Sequence, residues 1–179
     1  ENDQQPAIAI TDRNNLFGAL EFSEKAIEKG IQPIMGCKLA IDMGDGCDPK
    51  PRHGQANFPY LVYLATSEAG FENLRKLVSA AHVNTPDGQL PHVAFERLRT
   101  QGEGLICLTG GPEGPVDMLL AAGRKSEAME RLKALHAVFG DRLYVELQRH
   151  GIENRSVEKS LVDIAYAIEL PLVATNQPY

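Results

Sequence analysis

The chain has 179 residues, 43% hydrophobic and 23% charged, with 24 acidic residues against 18 Lys and Arg and a formal net charge of −6. A chain of this size and balance folds as one domain around a sizeable core, which excludes disorder, collagen-like repeats and coiled coil. Acidity without any Lys/Arg cluster speaks against a surface that tracks a nucleic-acid backbone, because neutralising phosphates takes concentrated positive charge.

In chain order, short apolar runs alternate with longer stretches of helical spacing. A strand is predicted over 7–10. After Asn14-Asn15 comes a helix carrying Leu16, Leu20 and Ile27, which ends at Lys29-Gly30, where glycine takes a left-handed cap without a Cβ clash. A second strand over 34–40 leads into 42–59, rich in Gly, Pro and charge, which reads as a surface insertion. The third strand, 61–65, is followed by a helix whose N-cap is Ser67 and whose stripe is Phe71, Leu74, Leu77, Val78 and Ala81. A second insertion spans 84–92; beyond it a strand over 105–108 precedes the stripe Ala128, Leu132, Leu135 and Phe139, which closes at Gly140. The last units are a strand over 143–147, a helix with Val157, Leu161, Ile164, Ala165 and Ile168 stopped by Pro171, and a strand over 172–175. Most of these strands lack polar alternation, so the expected fold is α/β, a parallel sheet covered by helices on both faces. A single domain over 1–179 is expected, with the two insertions on its surface.

In such folds the functional residues lie just past the C-terminal ends of the strands. That rule selects Asp12 with Arg13, Cys37 with Lys38, Gly110 with Gly111, Arg149 with His150, and Asn176 with Gln177. One carboxylate, one imidazole and several cations make a poor metal set, because metal ions need converging carboxylates or imidazoles. His53, His82, His92, His136 and His150 show neither HxH nor HxxxH spacing, and the Asp42, Asp45, Asp48 series lacks the closing Glu of a calcium loop. Gly110-Gly111-Pro112-Glu113-Gly114 has the composition of a phosphate loop without its Lys-Ser/Thr, and reads better as a strand-to-helix turn. Cys107, inside a strand, is expected to be inert, whereas Cys37 is a candidate for reactivity through Lys38 beside it. An odd cysteine count with no CxxC pair fits a reducing cytoplasm, and no apolar run reaches the roughly 18 residues of a membrane helix. A soluble, cytoplasmic protein is expected.

Five motifs in order carry a resemblance. They are Ile10-Thr11-Asp12-Arg13-Asn14-Asn15, Gly30-Ile31-Gln32-Pro33-Ile34-Met35-Gly36-Cys37, Leu61-Val62-Tyr63-Leu64-Ala65 leading to Gly70-Phe71-Glu72-Asn73-Leu74, Gly104-Leu105-Ile106-Cys107-Leu108-Thr109-Gly110-Gly111, and Tyr144-Val145-Glu146-Leu147-Gln148-Arg149-His150-Gly151 with Pro171-Leu172-Val173-Ala174-Thr175-Asn176. Together they resemble the PHP (polymerase and histidinol phosphatase) domain found at the N-terminus of bacterial replicative DNA polymerases, the polymerase III alpha subunits. The resemblance implies a distorted TIM-like barrel of about seven βα units, incomplete here because the first family strand with its paired histidines is missing.

In family members that bind metal, His follows Thr-Asp and Glu follows Gly-Cys; here those positions hold Arg13 and Lys38. The His that opens the third matched strand is Tyr60, the Cys or His after Thr-Gly is Gly111, and the closing Asp-x-His is Gln177, Pro178 and Tyr179. The resemblance thus implies vestigial barrel-mouth positions at Asp12, Arg13, Lys38, Tyr60, Gly111, His150, Asn176, Gln177 and Tyr179, with no catalytic residue, metal ligand or cofactor in this chain. Arg13 and Lys38 are expected to pair with Asp12 or Glu146 across the mouth. The parent implied is a DNA-directed DNA polymerase, and this part of it is expected to be inactive. It would dock the proofreading exonuclease subunit and other holoenzyme subunits, meeting DNA only through other domains and no membrane, with exposed apolar residues of the insertions as natural anchors. Two other readings stand beside this one. An active metal-dependent phosphoesterase or 3′–5′ exonuclease needs more converging ligands than Asp12 and His150, and a small-anion site would use Arg13, Lys38 and Arg149.

Overall fold

The computed structural model describes residues 5–44, 58–149 and 155–176. Its elements follow the alternation of the sequence. β1 (Ala7–Arg13) leads to α1 (Ala19–Glu28), β2 (Gln32–Asp42) and β3 (Tyr60–Ala65), and then α2 (Glu68–Val83) and a two-residue β4 (Val93–Ala94). After them come α3 (Leu98–Gln101), β5 (Leu105–Leu108), α4 (Pro115–Ala121), α5 (Lys125–Phe139), β6 (Leu143–Leu147), α6 (Arg155–Ala167) and β7 (Leu172–Ala174). The strands join in the order β1-β2-β3-β5-β6-β7, with β4 added to the far end of β2, and the sheet curls as a half-barrel.

The expectation of an all-parallel sheet fails at β3, which runs antiparallel to both β2 and β5. Parallel return to a sheet needs a crossover connection, usually a helix, and the 42–59 stretch has no helical period to supply one. The lack of polar alternation in β3 comes from burial on both faces, not from its direction: Leu61, Val62 and Tyr63 are all buried. The remaining neighbours, β1 with β2, β5 with β6 and β6 with β7, are parallel as expected.

Helix α2 shows how the sequence selects its elements. Ser67 is extended, and its hydroxyl accepts the Gly70 N–H at 3.1 Å, satisfying one of the free donors of the first turn. Leu74, Leu77 and Ala81 are then fully buried on one face, each leucine contributing about 2 kcal/mol from apolar area removed from water. The core they join runs from Leu39 and Tyr63 in the sheet to Leu132, Leu135 and Phe139 of α5 and Leu161 and Ile164 of α6. Gly70 meets the loop before β5 backbone to backbone; a Cβ there would lie 1.9 Å from the Gly104 carbonyl oxygen. The Gly110–Gly114 segment is the strand-to-helix turn expected, passing from β5 through a single 3-10 turn into α4.

Candidate functional site

The C-terminal ends of β1 and β2 lie side by side, because the parallel register pairs Thr11 with Gly36 and Arg13 with Lys38. The chain leaving β1 is locked by its asparagines. Asn14, at φ 54°, donates its N–H to Lys38 O and accepts the Ala40 N–H on its side chain. Asn15 donates to Arg13 O and accepts the Phe17 N–H. His82 Nε2 donates to Asn14 O at 2.7 Å, so this imidazole braces the loop. Asp12 accepts the Gly18 N–H at 3.2 Å, a role in the entry to α1.

The expected partners of the two cations are wrong. Arg13 Nη2 and Lys38 Nζ both reach the same oxygen, Glu113 Oε2, the former at 2.6 Å, and neither pairs with Asp12 or Glu146. Glu113 comes from the glycine turn after β5, so the mouth is closed by a carboxylate clamped between two cations. Burial raises the Glu113 carboxyl, but the hydrogen bonds and charges of Lys38 and Arg13 outweigh that and hold it below the ordinary glutamate range. Lys38 itself is nearly buried, and both cations lie near the Tyr60 ring, Arg13 Cζ 5.1 Å and Lys38 Nζ 5.8 Å from its centroid.

Glu146 instead holds the adjacent wall together. It is buried and accepts bonds from Gly110 N–H, Gln148 Nε2 and Thr175 Oγ1, while Thr109 Oγ1 takes its N–H. Gly111, at φ 56°, faces Gln148, whose Cδ would lie 2.7 Å from an added Cβ. Arg149 is engaged by Glu158 through two hydrogen bonds, so it does not join Arg13 and Lys38 in an anion site. Asn176 is exposed beyond β7, whereas His150, Gln177 and Tyr179 lie outside the described residues, as does Cys47. Cys37 is not activated by Lys38: it is fully buried, its thiol donates to Asp12 O, and burial pushes its pKa up to about 12. Cys107 is buried and inert, as expected.

Among the described residues no group of three or more His, Cys, Asp or Glu is placed to hold a metal ion, and no helix is long and apolar enough to cross a membrane. Of the residues singled out in the sequence, Arg13, Lys38 and Tyr60 come together, and Glu113, which joins them, was not singled out. The available signal was a single acid in a loop at a strand end. Exposed apolar anchors were expected in the two insertions, and of the first, residues 45–57 lie outside the described residues. Within 84–92 Leu90 is the one large exposed hydrophobic, while Phe17, Leu20 and Val83, elsewhere among the described residues, are far more exposed. Phe17 and Val83, with Leu16 and Val78, line a cleft of about 430 Å³ between the start of α1 and the end of α2.

A half-barrel of α/β units with its charged cluster at the strand ends defines the class: residues 1–150 match the family model described as PHP domain, and the chain belongs to the PHP domain family. Its relatives are more particular. The chain is 46% identical over 177 residues to the DNA polymerase III subunit alpha of Caulobacter vibrioides, covering 98% of this chain and 15% of that protein. It is 37% identical to the same subunit of Treponema pallidum, over 96% of this chain and 15% of the relative, and 34% identical to that of Thermus aquaticus, over 97% and 14%. The chain therefore spans about one seventh of the length of these relatives. An amidohydrolase from Chromobacterium violaceum, 12% identical, shares the fold with a TM-score of 0.54 over 96% of this chain and 76% of that one.

Proposed function

We propose that this domain is the PHP domain of a bacterial replicative DNA polymerase, that its mouth does not hold a metal, and that it serves as a structural and docking part of the holoenzyme. The observation that carries the reading is the pairing of Arg13 and Lys38 with one Glu113 oxygen. Two cations on one carboxylate leave the cluster at net +1. A divalent ion brought within about 4 Å of one uncompensated unit charge meets repulsion of roughly 8 kcal/mol at the effective dielectric of a protein surface. Neither an ammonium nor a guanidinium has a lone pair to offer, so these residues do not fit a metal centre. Nucleotidyl transfer then belongs to other parts of the parent polymerase, and this domain needs no cofactor.

The preferred partner is the proofreading exonuclease subunit. Phe17 and Val83, exposed at the cleft, and the exposed Leu20 of α1 supply apolar anchors for such contacts. The test is elemental analysis of the polypeptide at the full length of its relatives, alongside phosphatase assays of Arg13→His with Lys38→Glu. The expected result is no bound metal in the wild type and no hydrolysis in the double variant, because His and Glu at two positions still leave Tyr60 in place of an imidazole and Gly111 with no side chain to coordinate. Stoichiometric zinc or manganese in the wild type, or measurable hydrolysis by the variant, overturns the reading.

A further inference from the structure

Asp117 stands in the first turn of α4, four residues beyond Glu113, and is only 8% exposed, yet its Oδ1 has no hydrogen-bond partner. It lines a cavity of about 10 Å³, partly open to solvent, together with Pro112, Glu146, Gln148 and Glu158. That volume takes one water and no hydrated ion. Glu146 is the acceptor of the pair: Oε1 accepts from Gln148 and Thr175, and Oε2 accepts from Gly110. With two lone pairs on each oxygen, Oε2 keeps one position open for a further donor. Two ionised carboxylates on one small cavity repel, whereas one proton between them satisfies both.

We propose that this cavity is a one-proton, one-water site, in which Asp117 is a neutral acid that donates through the water to Glu146, and that loss of the proton displaces the turn carrying Glu113. When the proton leaves, it passes through the cavity opening to solvent, and a second negative charge remains beside Glu146. That charge acts on the turn at both ends. Gly110 N–H is bonded to Glu146 Oε2, and Gly114, whose carbonyl accepts the Met118 N–H, heads the helix that carries Asp117. Glu113 lies between them and clamps Arg13 and Lys38, so proton occupancy is transmitted to the mouth. Burial first, and the Glu146 charge second, raise the Asp117 carboxyl to about 7. The charged groups around Asp117 are Glu146 from β6, Glu158 from α6, already engaged by Arg149, and Glu113 on the turn itself. From α5, which also packs on α4, the buried charged side chain is Arg131.

The experiment is carbon-13 carboxyl and amide NMR of the whole 179-residue chain from pH 5 to 8.5. The expected result is one aspartate carboxyl with a midpoint near 7, binding its proton about a thousandfold more tightly than a free aspartate, and absent from Asp117→Asn. The Gly110 and Glu113 amides should move with that same midpoint in the wild type and stay still in Asp117→Asn. A carboxyl that titrates in the ordinary range, amides that do not move, or amides that move equally in the variant would each overturn the proposal. If Asp117→Asn fails to fold, the wild-type spectra still decide, because the proposal requires carboxyl and amides to share one midpoint.

Discussion

At the scale of single residues, the clamp and the core make opposite demands on polar groups. Glu113 is 42% exposed, so water screens its pairs, but Lys38 beneath it is not, and removing the carboxylate strands a buried ammonium. Between the fraction of a kcal/mol typical of exposed pairs and the 3–5 kcal/mol of broken buried ones, Glu113→Gln should cost about 2 kcal/mol in urea unfolding at pH 7. The pH dependence follows from the lowered carboxyl: its contribution is fully present above about pH 4.5 and is lost as pH falls through the folded-state value, so wild type and Glu113→Gln should converge in acid. Equal stability at pH 7 would show that the clamp contributes nothing. Tyr63 presents the reverse case. It is fully buried between Cys37 and Cys107 in the strand register, and its hydroxyl has no partner. Deleting an orphaned polar atom removes a desolvation cost, so Tyr63→Phe should raise the urea midpoint, a gain of about 1 kcal/mol. A loss of stability would mean that the hydroxyl is satisfied in solution.

Among the elements, the contact between α2 and the loop before β5 is set by two glycines. Alanine at Gly70 would place its Cβ 1.9 Å from the Gly104 carbonyl oxygen, and backbone on both sides leaves nothing flexible to yield. Gly70→Ala should therefore lower stability by about 3 kcal/mol in thermal unfolding, whereas Ser79→Ala on the exposed side of the same helix changes little. Similar losses from the two would show that the helix shifts freely against the loop. Helices α2, α5 and α6 were legible in the sequence because each buries one stripe and leaves the other face wet, which imposes a period on its residues. Helix α4 was not: five of its seven residues, Pro115, Val116, Asp117, Leu119 and Leu120, are buried, so no period survives in so short a segment. The direction of β3 was equally hidden, since a strand buried on both faces reads the same in either orientation.

For the whole molecule, the mouth was legible as a place and illegible as a network. Arg13 and Lys38 follow from the rule of strand ends and Tyr60 from the family resemblance, but the common partner of the two cations depends on how a turn 75 residues after Lys38 folds back over the sheet, which no local pattern encodes. The burial of Asp117 is likewise a product of three elements meeting. The clamp also has a mechanical meaning. Glu113 ties β1 and β2 to a turn 100 residues away from Arg13, so it is a cross-link between distant parts of the chain as much as an electrostatic balance. Its two arms are unequal, with the Arg13 side chain 46% exposed and the Lys38 side chain 5%. Dissolved salt screens charges that water reaches, so rising ionic strength slackens the Arg13 arm and spares the Lys38 arm. The barrel mouth is thus fastened by one hinge that yields to its surroundings and one that does not.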